Sequence, residues 1–157
     1  MLEVKRLSLD DARLMIRGAT RRAKAIKVPM VIAVTDESGH LIAFERMDGG
    51  KILSTTLAVD KAMTAAVSRK GTHEYNAAAL PGELTFGIHT ALQGRFCIVG
   101  GGRPVVVGGE VVGGIGISGG APEQDMDVAQ AGLDAFSKSL VKPAAAKRPS
   151  QTTRRKK

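Results

Sequence analysis

The middle of the chain concentrates side chains that can move protons. Within 23 residues it holds two of the three histidines and the only tyrosine, together with acids, a threonine and an arginine: His73, Glu74, Tyr75, Glu83, His89, Thr90 and Arg95. Imidazole, phenol and carboxyl groups exchange protons near neutral pH, and a positioned acid or base accelerates a reaction by ~10²–10⁴. We therefore predict catalytic roles for His73, Tyr75 and His89, assisted by Glu123 at the start of a predicted helix.

Two further basic side chains are predicted to anchor a substrate carboxylate. Arg46 ends a predicted strand, where side chains commonly face a cleft, and Lys61 shares a polar helical stripe with Thr64. A charge-assisted contact of this kind contributes about 1.5–3 kcal/mol when it is desolvated. The predicted substrate-binding residues are Arg46, Lys61, Thr64 and Arg95. The alternative is that Lys61 is solvated and that Arg46 pairs with a neighbouring acid.

Metal and thiol chemistry find less support in the sequence. The three histidines are widely spaced and Cys97 is the only cysteine, so we predict no metal site. Cys97 lies in the apolar run FCIV, which indicates an inert core residue. A haem would need one axial ligand, and the available candidates are His40, His73, His89, Met47, Tyr75 and Cys97.

The segment 114–119, GIGISG, matches the G-x-G-x-x-G pattern of dinucleotide-binding proteins. That fold requires a second parallel strand after the helix, ending in an acid that binds the ribose. Here the helix that follows leads directly into the basic C-terminal stretch. We therefore expect these glycines to let the strand approach a neighbouring helix or subunit closely.

Hydrophobic periodicity places these residues on a helix–strand–strand–helix–loop–strand–strand–helix order. Ser8 and Asp11 form a predicted capping box for the first helix, and Pro122 opens the last one. The other predicted elements are strands at Met30–Thr35, His40–Met47, Phe96–Val99, Pro104–Val107 and Val111–Ser118, and a helix at Ser54–Arg69. This order predicts an α+β fold, with helices packed against an antiparallel sheet.

Charge is unevenly distributed along the 157 residues. The net charge is +8, yet residues 1–137 carry equal numbers of basic and acidic side chains. We predict a domain over residues 1–140 and a disordered basic tail over 141–157, and this distribution argues against specific nucleic-acid binding. No segment approaches the ~20 apolar residues of a membrane span, and no signal peptide is recognised. A cytoplasmic location is the expectation.

Three segments, in this order, resemble the GlcG/HbpS family, which is also found as the C-terminal part of PduO-type proteins. They are VIAVTDESGHLIAFERMDGG, TLAVDKAMTAA and GGEVVGGIGISGGAPEQDMDVAQAG, and the resemblance extends over about residues 5–138. It implies a five-stranded antiparallel sheet of profilin-like shape, flanked by helices, and a homo-oligomer. Family members include haem binders and small lyases of aromatic catabolism.

Two functions follow as expectations. The first is a cofactor-independent lyase of aromatic-acid catabolism, for example one that converts 4-hydroxylaminobenzoate to a catechol acid and ammonia, with a small aromatic acid as its partner. The alternative is a haem-binding or haem-responsive protein, with haem as the cofactor. The segment GELTFGIHTALQGRF stands where haem-binding members carry a short Pro-Gly-Gly turn, and this departure favours the lyase.

Overall fold

The computed structural model describes residues 1 and 3–141, so the predicted tail from residue 142 onward lies outside the described residues. The helices are α1 (Leu9–Ala25), α2 (Ser54–Ser68), the short α3 (Ala91–Gly94) and α4 (Pro122–Val141). The strands are β1 (Val31–Asp36), β2 (Leu41–Arg46), β3 (Gly102–Val107) and β4 (Glu110–Ser118). Three 3₁₀ turns, at Thr72–Tyr75, Ala77–Ala79 and Ile88–Thr90, connect α2 to α3.

The four strands form one antiparallel sheet in the order β2-β1-β4-β3. Helices α1 and α4 pack together on one face, and α2 covers β4, β1 and β3 on the other. The predicted α+β class is confirmed, but the expectation of five strands is wrong, because Phe96–Val99 forms no strand among the described residues. Side-chain hydroxyls bind the backbone there instead: Thr64 Oγ1 accepts from Cys97 N at 2.9 Å, and Thr72 Oγ1 donates to Val99 O at 2.6 Å.

Local signals explain where α1 begins and which face it buries. Asp11 N donates to Ser8 Oγ at 3.2 Å and Ser8 N donates to Asp11 Oδ2 at 2.9 Å, which completes the predicted capping box. Apolar residues then recur at helical spacing and are buried against the sheet and α4: Ala12, Met15, Ile16, Ala19 and Ala23. Periodicity and capping therefore both support this helix.

On the other face, α2 lies unusually close to β4. A Cβ at Gly114 or Gly116 would collide with the carbonyl oxygens of Ala62 and Ala58. The alanines of α2 and the glycines of β4 thus let the helix backbone rest almost directly on the strand. Gly114 and Gly116 of the G-x-G-x-x-G segment therefore serve close packing of a helix, as expected, whereas a Cβ on Gly119 would meet Pro29 O and Met30.

Between α2 and β3 the chain forms a projection that we call the arm, residues 76–94. Most of its residues are exposed, and the positions where Gly82, Gly87 and Gly94 would carry a Cβ have no atoms within 4 Å. Its short helical turns pack mainly on one another. Thr72, just before the arm, is hydrogen-bonded to Val99 and to Gly102, the first residue of β3. The arm therefore leaves the fold at the β3 edge of the sheet.

Candidate functional site: histidines and cations near the arm

Lys61 forms an ion pair in the interior. Its Nζ donates to Asp125 Oδ2 at 2.8 Å and to Ile117 O at 2.9 Å, and the residue is 1% exposed. Burial raises the pKa of the Asp125 carboxyl, and the hydrogen bond from Lys61 opposes that shift. The expectation that Lys61 binds a substrate, and its alternative of a solvated side chain, are both corrected: the charge joins α2 to β4 and α4.

The Gly100–Gly102 stretch makes room for this pair. A Cβ on Gly101, whose φ is +121°, would lie 2.8 Å from Asp125 Cβ and 3.0 Å from Lys61 Nζ. At Gly102 a Cβ would collide with Lys61 O. Gly101 and Gly102 are therefore required by the ion pair and by the approach of α2.

Arg46 is not part of this ion pair. It ends β2, whereas the Lys61 ammonium is bound at Ile117 O in β4, two strands away in the sheet. The polar contacts of Lys61 Nζ go to that carbonyl and to Asp125. Lys61 does not line the cleft beside Arg46 within one chain, and a shared cavity between two copies stays a prediction. Arg46 instead borders a shallow cleft of about 370 Å³ lined by Thr20, Lys24, Glu45, Met47 and Asp48.

Other predicted residues do meet, at the base of the arm. Arg95 Nε donates to Asp60 Oδ1 at 2.8 Å, and Thr64 Oγ1 donates weakly to Arg95 O at 3.4 Å. The ring of Tyr75 meets Phe96 edge to face, with centroids 4.9 Å apart. We call this set the arm-base cluster; it consists of Asp60, Thr64, Tyr75, Arg95, Phe96 and Cys97. The structure thus brings together three predicted residues: Thr64, Tyr75 and Arg95.

Cys97 is buried in the arm-base cluster, as are Asp60, Thr64 and Phe96. Burial is the main cause that raises the pKa of its thiol, while the hydrogen bond to Val99 O and the charge of Lys61 act in the opposite direction. A neutral, buried thiol is a weak nucleophile and a poor metal ligand. This agrees with the inert core position predicted for it.

The histidines occupy three separate exposed positions. His40 lies in the β1–β2 turn, with Nδ1 3.6 Å from Asp36 Oδ2. His73 lies in the 3₁₀ turn at the base of the arm, and His89 lies within the arm. Glu123 is exposed in the first turn of α4.

His73 is the histidine whose surroundings are best defined. A Cβ on Gly71 would lie 2.5 Å from its Cε1 and 2.7 Å from its Nδ1, so the glycine leaves the space that the imidazole occupies. Gly71 N donates to Glu74 Oε1 at 2.6 Å, so the Glu74 carboxylate also lies beside Gly71. Lys70 Nζ lies 5.8 Å from the centroid of the Tyr75 ring. The exposed imidazole therefore lies beside Gly71 and shares its 3₁₀ turn with Glu74 and Tyr75.

Sequence reasoning missed Asp60, Gly71, Phe96 and Asp125 as members of these arrangements. The presence of an acid at position 125 is explained locally, since an acid in the first turn of α4 interacts favourably with the helix dipole. No spacing pattern indicates that its partner lies 64 residues away.

Among the described residues there is no group of three His, Cys, Asp or Glu side chains that could hold a metal ion. In the same part of the chain, no helix is both long and apolar enough to cross a membrane.

Fold and site together define a small α+β protein, built on one antiparallel sheet, with exposed histidines and an arm at one sheet edge. The chain belongs to the HbpS-like family: the profile described as "Haem degrading protein HbpS-like" matches residues 7–134. This confirms the resemblance to the GlcG/HbpS family.

Relatives and solved structures agree with this assignment. The chain is 38% identical, over 135 residues, to a 15.0 kDa protein from the dhaT-dhaS intergenic region of Citrobacter freundii, covering 86% of this chain and 95% of that protein. The crystal structure of Klebsiella pneumoniae protein ORFY matches with a TM-score of 0.86 and 36% identity, over 87% of this chain and 94% of that one. The crystal structure of a PduOC:heme complex matches with a TM-score of 0.80 and 38% identity, over 83% and 94%. Haem is thus named both for the family and for one of these structures, whereas none of these descriptions mentions a lyase or an aromatic acid.

Proposed function

We propose that this protein binds haem. The observation that carries the proposal is its likeness to the PduOC:heme complex, at 38% identity across 83% of the chain, within a family described as haem degrading. The lyase expectation required one carboxylate site containing both Arg46 and Lys61, and Lys61 is instead paired with Asp125. The alternative predicted from the sequence therefore becomes the main proposal.

The donor atoms in the structure favour histidine as the axial ligand. Cys97 is buried as a neutral thiol, and Met47 Sδ accepts a hydrogen bond from Met30 N at 3.4 Å. All three imidazoles are exposed. Histidine is a common proximal ligand of haem iron, so the available donors fit the group. Bound haem would supply a redox-active iron, and the protein would supply its ligand and its orientation.

Of the three histidines, His73 has the surroundings that best suit a porphyrin. It shares a 3₁₀ turn with Tyr75, whose ring packs against Phe96 and offers an aromatic surface. Lys70 brings positive charge to the same end of the arm, where its ammonium can bind a propionate, whereas Arg95 Nε is paired with Asp60. Gly71 keeps the space for the imidazole free. We therefore propose His73 as the axial ligand.

A haemin titration of the full chain, followed by its Soret band, tests both parts of the proposal. The wild type is expected to give a sharp band that saturates at one haem per chain. His73→Ala should lose it, whereas His40→Ala and His89→Ala, which also remove exposed imidazoles, should retain it. Circular dichroism verifies that each variant is folded.

The outcomes separate haem binding from the choice of ligand. A wild type that shows only weak, non-saturating absorbance overturns haem binding itself. Loss of the band in His40→Ala or His89→Ala, with the band intact in His73→Ala, overturns the assignment of His73 and leaves haem binding in place.

A further inference from the structure

β2 is an outer strand of the sheet, so only one of its two edges pairs with β1. Met47 N donates to Met30 O at 3.1 Å, and this bond fixes which residues of β2 face β1. Hydrogen-bonding positions alternate along an antiparallel pair, so the main chain of Glu45 faces β1, whereas the N–H and C=O groups of Phe44 and Arg46 face the free edge. Edge groups of this kind are a template for a further strand.

Basic side chains of α1 line this edge on one face of the sheet. A cleft of about 400 Å³ lies between α1 and β2 and is bordered by Arg13, Arg17 and residues 42–45. The neighbouring cleft, which shares Glu45, adds Lys24. The ion pairs among residues 3–141 include neither Arg17 nor Lys24. Two uncompensated cations therefore lie along the start and the end of α1 beside β2.

The acids at this edge do not cancel that charge. Asp10 Oδ1 lies 3.8 Å from Arg13 Nη1, but both side chains are largely exposed, and such pairs are weak. Glu45 accepts a hydrogen bond from Thr20 Oγ1 at 2.8 Å, and Asp48 borders the second cleft alone. The α1 face of the edge therefore favours an acidic partner.

The opposite face of the edge is mainly apolar. Phe44 pairs with Ala33, whose side chain packs under α2, and yet it stays 38% exposed. The loop that leads into α2 adds Ile52, 83% exposed, and Leu53, 71% exposed. Arg46, two positions beyond Phe44, is the basic side chain of β2 on this face. The two faces of the β2 edge thus differ in chemistry.

We propose that an extended segment of another protein, with alternating acidic and apolar side chains, adds to β2 as an antiparallel strand. Side chains of a strand alternate between faces, so its acids would meet the cations of α1 while its apolar side chains cover Phe44 and the loop before α2. Residues 142–157 of this chain contain no acid, so they do not provide the segment.

The spacing of the cations suits such a strand. Arg13 and Arg17 are four helical residues apart, which is ~6 Å along α1. Side chains on one face of a strand repeat every ~6.7 Å. Because Arg13 and Arg17 lie beside residues 42–45 and Lys24 lies beside Met47 and Asp48, α1 runs alongside β2 in the same direction. Successive acids of the added strand can therefore meet successive cations of α1.

Fluorescence anisotropy of the full chain with a labelled hexapeptide of alternating glutamate and valine tests the proposal. The probe has the six-residue length of β2 and should give a saturable rise, whereas a lysine–valine hexapeptide should give none. Arg13→Ser/Arg17→Ser should weaken binding about tenfold, the order expected when two exposed charge pairs are lost. Arg21→Ser/Lys138→Ser removes the same charge from the cleft between α1 and α4 and should bind as the wild type does. Circular dichroism verifies that both variants are folded.

Methylated probes separate strand addition from charge attraction alone. In an antiparallel strand the valines would lie opposite Phe44 and Arg46 and exchange hydrogen bonds with them. N-methylation of the valines should therefore abolish binding, and N-methylation of the glutamates should leave it intact. Equal binding of both methylated peptides overturns strand addition.

Three further outcomes would also overturn the proposal. The first is a wild type without saturable binding of the glutamate–valine peptide, the result expected if the edge is closed by a second copy. The second is an equal loss of affinity in the two double variants. The third is a labelled oligothymidylate that binds as tightly as the peptide, which would show a general surface for polyanions.

Discussion

Replacing Asp125 by alanine is expected to destabilise this protein by about 3–5 kcal/mol, the range found when one partner of a buried ion pair is removed. The side chains of Lys61 and Asp125 are 2% and 4% exposed, with 2.8 Å between the charged atoms. Without the carboxylate, the ammonium of Lys61 retains Ile117 O and is left uncompensated in the interior. Asp125 Oδ1 also accepts from Gly120 N at 2.9 Å, so a second hydrogen bond is lost.

Urea unfolding followed by circular dichroism measures this change. For a chain of 157 residues, each kcal/mol of lost stability lowers Tm by about 2–4 °C, so the expected fall in Tm is ~6–20 °C. Asp127→Ala is the matched control on the same helix. Its carboxylate pairs with Arg22 Nε at 2.7 Å, but both side chains are nearly half exposed, and such pairs contribute less than about 1 kcal/mol.

A double variant separates loss of the charge pair from loss of packing. Lys61→Met leaves a buried acid without its partner, whereas Lys61→Met/Asp125→Asn leaves no charge and keeps an acceptor for Gly120 N. The double variant should therefore be more stable than Lys61→Met by at least about 1 kcal/mol. Equal urea midpoints for Asp125→Ala and Asp127→Ala would refute the stabilising role of the buried ion pair.

Two further predictions concern other parts of the molecule. Gly71→Ala should weaken haem binding at least tenfold, because the added Cβ displaces the His73 imidazole. Tm should change little, because the backbone φ of −64° at this position suits alanine. An unchanged haemin titration curve contradicts the role given to Gly71. The hydrogen bond from Arg6 lowers the pKa of Glu37 from 4.5 to about 2. Its ionised form therefore favours the fold above pH 4.5, and that contribution is lost as pH falls toward 2, so Tm should decline less over this range in Glu37→Gln. A parallel decline in both proteins contradicts this assignment.

Much of the secondary structure could be predicted from local patterns. The helix predicted at Ser54–Arg69 is α2 at Ser54–Ser68, and the strand predicted at Val111–Ser118 is β4 at Glu110–Ser118. Helix periodicity, helix caps and strand-forming runs involve residues that are close in sequence, so they can be recognised from the sequence alone. The same reasoning failed at Phe96–Val99, where an apolar run was expected to pair with another strand. Threonine hydroxyls from α2 and from the turn after it bind this backbone instead, which no local pattern indicates.

The candidate site was predicted less completely than the fold. Thr64, Tyr75 and Arg95 were chosen from their residue types and do meet at the arm base. Arg46 and Lys61 were chosen by the same reasoning, but Lys61 is buried against Asp125 and Ile117, whereas Arg46 ends β2 beside a different cleft. Residue type and spacing therefore selected plausible groups without fixing which of them are neighbours.

The sequence by itself determined the family, the α+β class, the start of α1 and the need for glycine along β4. These features depend on motifs, periodicity and backbone freedom, which are properties of short segments. Only the tertiary structure decided that Lys61 is buried beside Asp125, that four strands form the sheet, and that the apolar side chains of the arm are left exposed by the rest of residues 3–141. The physical reason is that burial and charge pairing depend on which distant segments pack together, and the two residues of the ion pair lie 64 positions apart.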